Sequence, residues 1–134
     1  MDRKSKVKGR WSSREGIALS GSSGELRELA GLLEDATEGL TIALAELNDE
    51  MIKPYEGAIS HIIVHIEQGA KLRIARIGGV MELRGDAGNL AALGECMPDD
   101  ESLPPFYHVH VEFYPGHFFL AAESEALVIV SVKI

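Results

Sequence analysis

Two histidines and a glutamate alternate along one stretch near the carboxyl end of the chain, and all three are side chains that bind metal ions. His108, His110 and Glu112 are two residues apart, so they point the same way from a strand, and His117 follows one turn later. Two imidazoles and a carboxylate can hold zinc or iron. The same alternation is also typical of the open side of a half-buried strand. We therefore predict a polar sheet face, with a metal site on these four residues as the alternative.

The apolar residues between those side chains predict the strand that positions them. Val109, Val111 and Phe113 alternate with the polar residues, which is the period of a strand with one buried face. Pro115 and Gly116 end that strand, and the apolar run over residues 126–132 predicts a second, well buried strand. The loop between these two strands is rich in aromatic residues, so it offers side chains suited to contacting a partner.

The chain also contains an internal repeat with an offset of 64 residues. The pattern Leu-x-Gly-x-x-Gly-x-Leu occurs over residues 19–26 and again over 83–90, and in each copy it leads from a strand into an amphipathic helix. Ser22 is the expected cap of the first helix, and Asp86 is its counterpart. Further strands are predicted over residues 40–47, 59–67 and 71–77, the last joined to the strand at 80–84 by the hairpin turn Gly78-Gly79.

These elements predict an α+β fold. Its form is a two-layer sandwich, with a mostly antiparallel sheet of about seven strands and two helices on one face. The repeat predicts a duplicated βαββ unit, with copies at about residues 15–67 and 80–134.

Charge is distributed unevenly along the chain. Residues 1–14 hold six basic side chains and one acidic one, whereas residues 15–134 hold seven bases and twenty acids, a net charge of -13. We expect residues 1–14 to be a solvated, poorly ordered leader and residues 15–134 to be a single domain. The acidity of that domain argues against nucleic-acid binding and favours a basic protein partner. The single cysteine and the absence of a signal-like apolar segment favour a cytoplasmic protein.

No catalytic constellation is completed by these residues. The serines and histidines do not occur in a nucleophile-elbow pattern, and the lone Cys96 falls on a core position of the second helix. Carboxylates are paired at Asp99, Asp100 and Glu101, but in a loop-like segment where solvated charge is the ordinary explanation. We therefore predict a protein that is not an enzyme and has no cofactor.

The run Phe-Tyr-His-Val-His-Val-Glu-Phe-Tyr-Pro-Gly-His over residues 106–117 resembles the carboxy-terminal signature of the immunity protein 32 family of bacterial polymorphic toxin systems. Pro54-Tyr55-Glu56-Gly57 is similar to the central motif of that family, and the Leu-x-Gly-x-x-Gly-x-Leu helix entry also fits. The resemblance covers most of residues 15–132. It implies a cytoplasmic protein that binds and neutralises a cognate toxin, and it brings no established catalytic residues.

Resemblance and charge together predict a protein that masks a functional surface of a basic toxin, with acidic loops for attraction and aromatic residues as anchors. The predicted contact residues are Asp99, Asp100, Glu101, His110, Glu112, Tyr114, His117 and Phe118. We expect no nucleic-acid and no membrane partner. Two alternatives stay open, a structural module that forms homodimers and a small metal-dependent enzyme or metal sensor that uses His108, His110, Glu112 and His117.

Overall fold

The computed structural model describes residues 2–132, which form ten strands and three helices. The strands are β1 (Asp2–Lys4), β2 (Lys8–Ser12), β3 (Gly16–Gly21), β4 (Thr41–Ala43), β5 (Gly57–Ile59), β6 (His61–Ile66), β7 (Arg73–Ile77), β8 (Val80–Gly85), β9 (Tyr107–Val111) and β10 (Leu127–Ser131). The helices are α1 (Ser23–Glu34), α2 (Asp49–Ile52) and α3 (Ala87–Glu95).

The strands divide into two mixed sheets of five strands each. The first sheet has the order β1-β4-β6-β8-β7, and the second has the order β5-β2-β3-β10-β9. In each sheet parallel pairs, among them β6 with β8 and β3 with β10, stand beside antiparallel ones. The α+β class is confirmed, but the prediction of one mostly antiparallel sheet of about seven strands is wrong, because local alternation shows where strands lie and not which strands pair.

Both long helices begin as the sequence predicts. At α1 the Ser22 hydroxyl accepts a hydrogen bond from the Glu25 amide at 3.2 Å, and the Glu25 carboxylate accepts one from the Ser22 amide at 3.0 Å. At α3 the Asp86 carboxylate accepts from the Gly88 amide at 2.8 Å. Within residues 2–132 no helix has the length and apolar character needed to cross a membrane.

The two long helices pack against strands of different sheets and against each other. α1 contacts β3 of the second sheet, α3 contacts β8 of the first sheet, and the two helices contact one another. A Cβ atom on Gly94 would lie 3.1 Å from the carbonyl oxygen of Ala30, so the missing side chain lets the helices approach closely. The prediction that both helices cover one face of a single sheet is therefore wrong, and one hydrophobic core joins both sheets and both helices.

Two strands lie within the basic segment, where the sequence predicts a poorly ordered leader. β1 pairs with β4 in the first sheet, and β2 pairs with both β3 and β5 in the second sheet. The physical reason is apolar burial, because the Val7 side chain between these strands is 0% exposed. Trp11 adds a contact between the sheets, since the Arg76 guanidinium lies 3.6 Å from its ring.

Two other predicted strands are shorter than expected, and the predicted hairpin is confirmed. The strand expected over residues 59–67 divides at Ser60, so that β5 lies in the second sheet and β6 in the first. The strand expected over residues 40–47 is reduced to β4. β7 and β8 pair antiparallel across Gly78-Gly79, as predicted.

The burial of Val7 gives a test of the ordered amino-terminal segment. We predict that Val7→Ala lowers the free energy of unfolding by about 1 to 3 kcal/mol, because the substitution leaves a cavity in the core. The adjacent exposed residue supplies the control, Lys6→Ala, which should change the stability by less than about 0.5 kcal/mol. Chemical denaturation measures both. Equal stability of the two variants would show that this segment is not part of the core.

Candidate partner-binding site

β9 lies at the end of the second sheet and carries the alternating histidines. Val111 of β9 is buried on the core side, as are Leu127 and Ile129 of the neighbouring β10. His108 and His110 lie on the opposite face, where their ring centroids are 5.0 Å apart in an edge-to-face arrangement. The predicted polar face of this strand is therefore present.

That face forms one wall of an open groove of about 630 Å³. Besides the two histidines and Glu112, charged side chains of both signs line it, among them Arg14, Glu15 and Glu125. Tyr55, from the motif at residues 54–57, lines the same groove, and the Arg10 guanidinium lies 4.3 Å from its ring centroid. Sequence reasoning did not assign Arg14, Glu15 or Tyr55 to this site, because only the fold brings the turn after β2 and the loop before β5 to β9.

His117 does not join this groove. Its side chain is only 8% exposed, and its Nδ1 accepts hydrogen bonds from the amides of Phe119 at 3.2 Å and Leu120 at 3.0 Å. An Nδ1 that accepts two hydrogen bonds belongs to a neutral imidazole with its proton on Nε2. Burial, and secondarily the nearby charge of Lys71, lower the pKa of His117.

The structure therefore separates the four residues of the metal alternative. His108, His110 and Glu112 line the groove, whereas the buried His117 ring accepts hydrogen bonds from the backbone of its own loop. Within residues 2–132 no group of three histidine, cysteine or carboxylate side chains is placed to hold a metal ion. His117 is also one of the predicted partner contacts, and its ring is buried by local packing.

Residues 113–118, here called the aromatic loop, follow β9 and present aromatic side chains to solvent. Phe118 is 70% exposed and Tyr114 is 57% exposed. The loop is fixed from below, because the Lys71 ammonium donates to the carbonyl oxygens of His117 at 3.0 Å and Phe118 at 2.6 Å. The Lys71 bonds therefore fix the backbone that carries the exposed rings of Phe118 and its neighbours, while the adjacent Phe119 is buried in the core.

Residues 99–101, here called the acidic loop, precede β9. The Asp100 carboxylate accepts hydrogen bonds from the amide and the hydroxyl of Ser102, both at 2.8 Å. These two bonds, helped by the charge of Arg27, lower the pKa of Asp100 and keep it ionised. Asp100 and Glu101 lie beside Ser131 at the end of β10, which is opposite the first residue of β9.

The candidate residues other than His117 are therefore arranged along one edge of the molecule, here called the β9 rim. The acidic loop lies at one end of β9 and the aromatic loop at the other, and the five residues of β9 between them span about 17 Å. Three further exposed aromatic residues belong to this rim, namely Phe106, Tyr107 and Phe113. Alternation predicted Phe113 to be buried, but β9 ends at Val111 and leaves it 37% exposed.

The pKa shifts of Cys96 and Asp100 do not favour catalysis by either side chain. Partial burial, followed by the charge of Glu95, raises the pKa of the Cys96 thiol, which disfavours the reactive thiolate. The lowered pKa of Asp100 is the opposite of what a general acid requires.

Fold and geometry define an α+β protein with an exposed edge that carries aromatic residues at both ends of β9 and an acidic loop at one of them. Residues 81–132 match the family model described as Immunity protein 32, and the match includes the whole β9 rim. The resemblance to that family is thereby confirmed over this segment, and it supports an immunity role in general. No curated protein and no solved structure matches the chain.

His117 predicts a pH dependence of stability. The unfolded chain takes up a proton near the ordinary histidine value of 6.5, whereas the folded chain resists protonation at His117, so its contribution is complete above that pH and is lost as the pH falls. We predict that His117→Asn weakens this acid sensitivity between pH 7 and about 5, because an amide oxygen accepts the same two bonds without titrating. Urea denaturation at several pH values measures it, with the exposed His61→Asn as control. An unchanged pH profile for His117→Asn would contradict the assignment.

Proposed function

We propose that this chain is an immunity protein that binds a cognate toxin domain through the β9 rim and neutralises it by masking a functional surface. The observation that carries the proposal is the distribution of aromatic residues: five of the eight in the chain are exposed, and all five lie between residues 106 and 118. This is the segment that resembles the immunity family, and it lies within the matched residues. In this proposal the protein acts in the cytoplasm and performs no catalysis.

The aromatic loop supplies the anchors in this proposal. A solvent-exposed ring that becomes buried at an interface contributes a large apolar area and loses little conformational freedom. Phe118 stands out because it is the most exposed large apolar residue within residues 2–132, and its ring centroid lies 4.9 Å from that of the buried Phe119. The packing against Phe119 and the two bonds from Lys71 hold the backbone in place before a partner arrives.

The acidic loop supplies attraction at longer range. Because the basic residues of β1 and β2 are part of the sheets, the chain acts as one body with a net charge of -8, not as an acidic domain of charge -13 with a detached tail. The groove beside β9 carries charges of both signs. Steering of a basic toxin is therefore assigned to the local cluster at residues 99–101, which lies at the end of β9.

We predict that the acidic loop affects mainly the association rate constant and that Phe118 affects mainly the dissociation rate constant. Neutralising the acidic loop by Asp99→Asn, Asp100→Asn and Glu101→Gln should slow association several-fold at low salt, while Phe118→Ala should mainly speed dissociation, with a loss on the order of 2 kcal/mol. Asn at position 100 keeps an oxygen that can accept from Ser102. Surface plasmon resonance at two ionic strengths measures both rates, with the product of the neighbouring gene, which the proposal predicts to be the toxin, as the binding partner.

Matched variants elsewhere on the surface serve as controls. The triple variant Glu34→Gln, Glu46→Gln and Asp49→Asn changes the net charge equally at exposed positions that do not belong to the β9 rim. Ile77→Ala removes a side chain on β7 that is 63% exposed. If the control triple variant slows association as much as the acidic-loop variant, steering is not local. If Phe118→Ala dissociates like Ile77→Ala, the anchor lies elsewhere.

We also propose that the two sheets descend from a duplicated unit whose copies have exchanged strands. β3 and β8 begin 64 residues apart, each is followed by a capped helix, and each pairs in parallel with a strand from the other half of the chain. Leu29 and Leu93 are equivalent in this scheme and are both 0% exposed.

We predict that Leu29→Ala and Leu93→Ala each lower the free energy of unfolding by about 2 to 5 kcal/mol, and that Leu32→Ala, at a half-buried position, lowers it by less. A marked inequality between Leu29→Ala and Leu93→Ala would count against the equivalence.

A further inference from the structure

β9 has an unpaired outer edge. It is the last strand of the second sheet, and within the described residues β10 is its only partner strand. Backbone N–H and C=O groups along such an edge are available to a strand from another molecule. The hydrogen bonds of the second sheet show which residues of β9 point their N–H and C=O groups away from β10.

The ladder on the far side of β10 fixes that direction. Ile17 of β3 donates to the carbonyl of Ala126, and Val132 donates to the carbonyl of Gly21, both at 2.9 Å. In a parallel pair this pattern turns the even-numbered residues of β10 toward β3, so its odd-numbered residues face β9. The hydrogen bond at 2.9 Å from the Phe106 amide to the carbonyl of Ser131 agrees with this direction.

The antiparallel register then identifies the outward-facing residues of β9. Val109 and Val111 lie opposite Ile129 and Leu127, which are odd-numbered, and so exchange hydrogen bonds with β10. His108 and His110 alternate with them and direct their backbone N–H and C=O groups away from the sheet. The two histidines therefore offer backbone donors and acceptors at the centre of the β9 rim.

We propose that β9 receives an extended strand of the toxin, which lengthens the second sheet by one strand. This inference rests on the proposed immunity function and states how the toxin binds. Backbone pairing with His108 and His110 supplies the register, and the exposed rings of Tyr107 and Tyr114 lie near the two ends of the strand.

The charges beside β9 indicate the chemistry of the incoming segment. The acidic loop precedes the strand and Glu112 follows it, so basic side chains on the toxin strand or beside it are attracted at both ends. A second copy of this chain would carry the same net charge of -8 and would be repelled at long range. A basic toxin segment is therefore the occupant that the rim fits.

A comparison of two substitutions at His110 separates backbone pairing from side-chain contacts. His110→Ala removes the imidazole and keeps the N–H, whereas His110→Pro also removes the outward N–H and places a ring on the edge. Proline is tolerated at an edge position whose N–H faces solvent, and the preceding Val109 is already extended. We expect His110→Pro to bind the product of the neighbouring gene, the predicted toxin, about tenfold or more weakly than His110→Ala does.

Thermal melting shows whether both variants are folded, and a measurement on the unmodified chain makes the test independent of folding. The amides of His108 and His110 should exchange rapidly with deuterium in the free protein and become protected in the complex. Toxin binding without this protection, or equal affinity of the proline and alanine variants, would overturn strand pairing while leaving the immunity function intact.

Two other outcomes would contradict more than the pairing. Failure of the unmodified chain to bind the toxin would overturn the proposed function itself. A free protein that is dimeric by light scattering, and monomeric as His110→Pro, would assign the edge to a second copy and overturn the toxin strand.

Discussion

The parallel pairing of β3 with β10 joins the beginning of the chain to its end and holds the second sheet together. Its register runs from Leu127 opposite Ile17 to Ser131 opposite Gly21, and along β10 buried residues alternate with partly exposed ones. Gly16 makes the start of this pair possible, because its φ is +85° and a Cβ there would collide with the carbonyl group of Ala126. Without β3, β10 would have no inner neighbour and β9 would have no fixed position.

This pairing explains why the family-matched residues depend on the rest of the chain. Of the strands they contain, β8 lies in the first sheet, whereas β9 and β10 lie in the second. Each sheet is completed by strands from the other half, with β6 beside β8 and β3 beside β10. The β9 rim is therefore presented by a scaffold that includes β2, β3 and the buried Val7 of the amino-terminal segment. Its side chains are positioned by long-range strand pairing and not by the local loop sequence alone.

Local signals in the sequence predicted the elements well. Apolar alternation located β7, β8 and β10 to within about two residues, whereas β9 ends at Val111, before the predicted break at Pro115. The capping residues Ser22 and Asp86 marked the starts of α1 and α3. Strand partners were not predictable, since pairing between residues more than a hundred positions apart leaves little trace in either segment. For the same reason the sequence pattern predicts one sheet where the structure has two, and a single buried valine is too weak a signal for the amino-terminal strands.

The candidate site was predictable in its location but not in the role of every residue. Alternation placed His108, His110 and Glu112 correctly on one face. His117 is of the same residue type as the exposed His110, and Phe119 is of the same type as the exposed Phe118. Only the fold shows that His117 holds the loop through its Nδ1 atom and that Phe119 is buried in the core. Exposure of Phe106 and Tyr107 follows from the position of β9 at the end of a sheet, which local pattern does not reveal.

The most direct test of the proposed binding site is a crystal structure of this chain in complex with the product of the neighbouring gene, which the proposed function predicts to be the toxin. We expect the toxin to bury the acidic loop, the outer edge of β9 and the aromatic loop together, with Phe118 enclosed by the toxin surface. A complex in which the toxin contacts the first sheet and leaves residues 99–118 in solvent would contradict the assignment of the β9 rim.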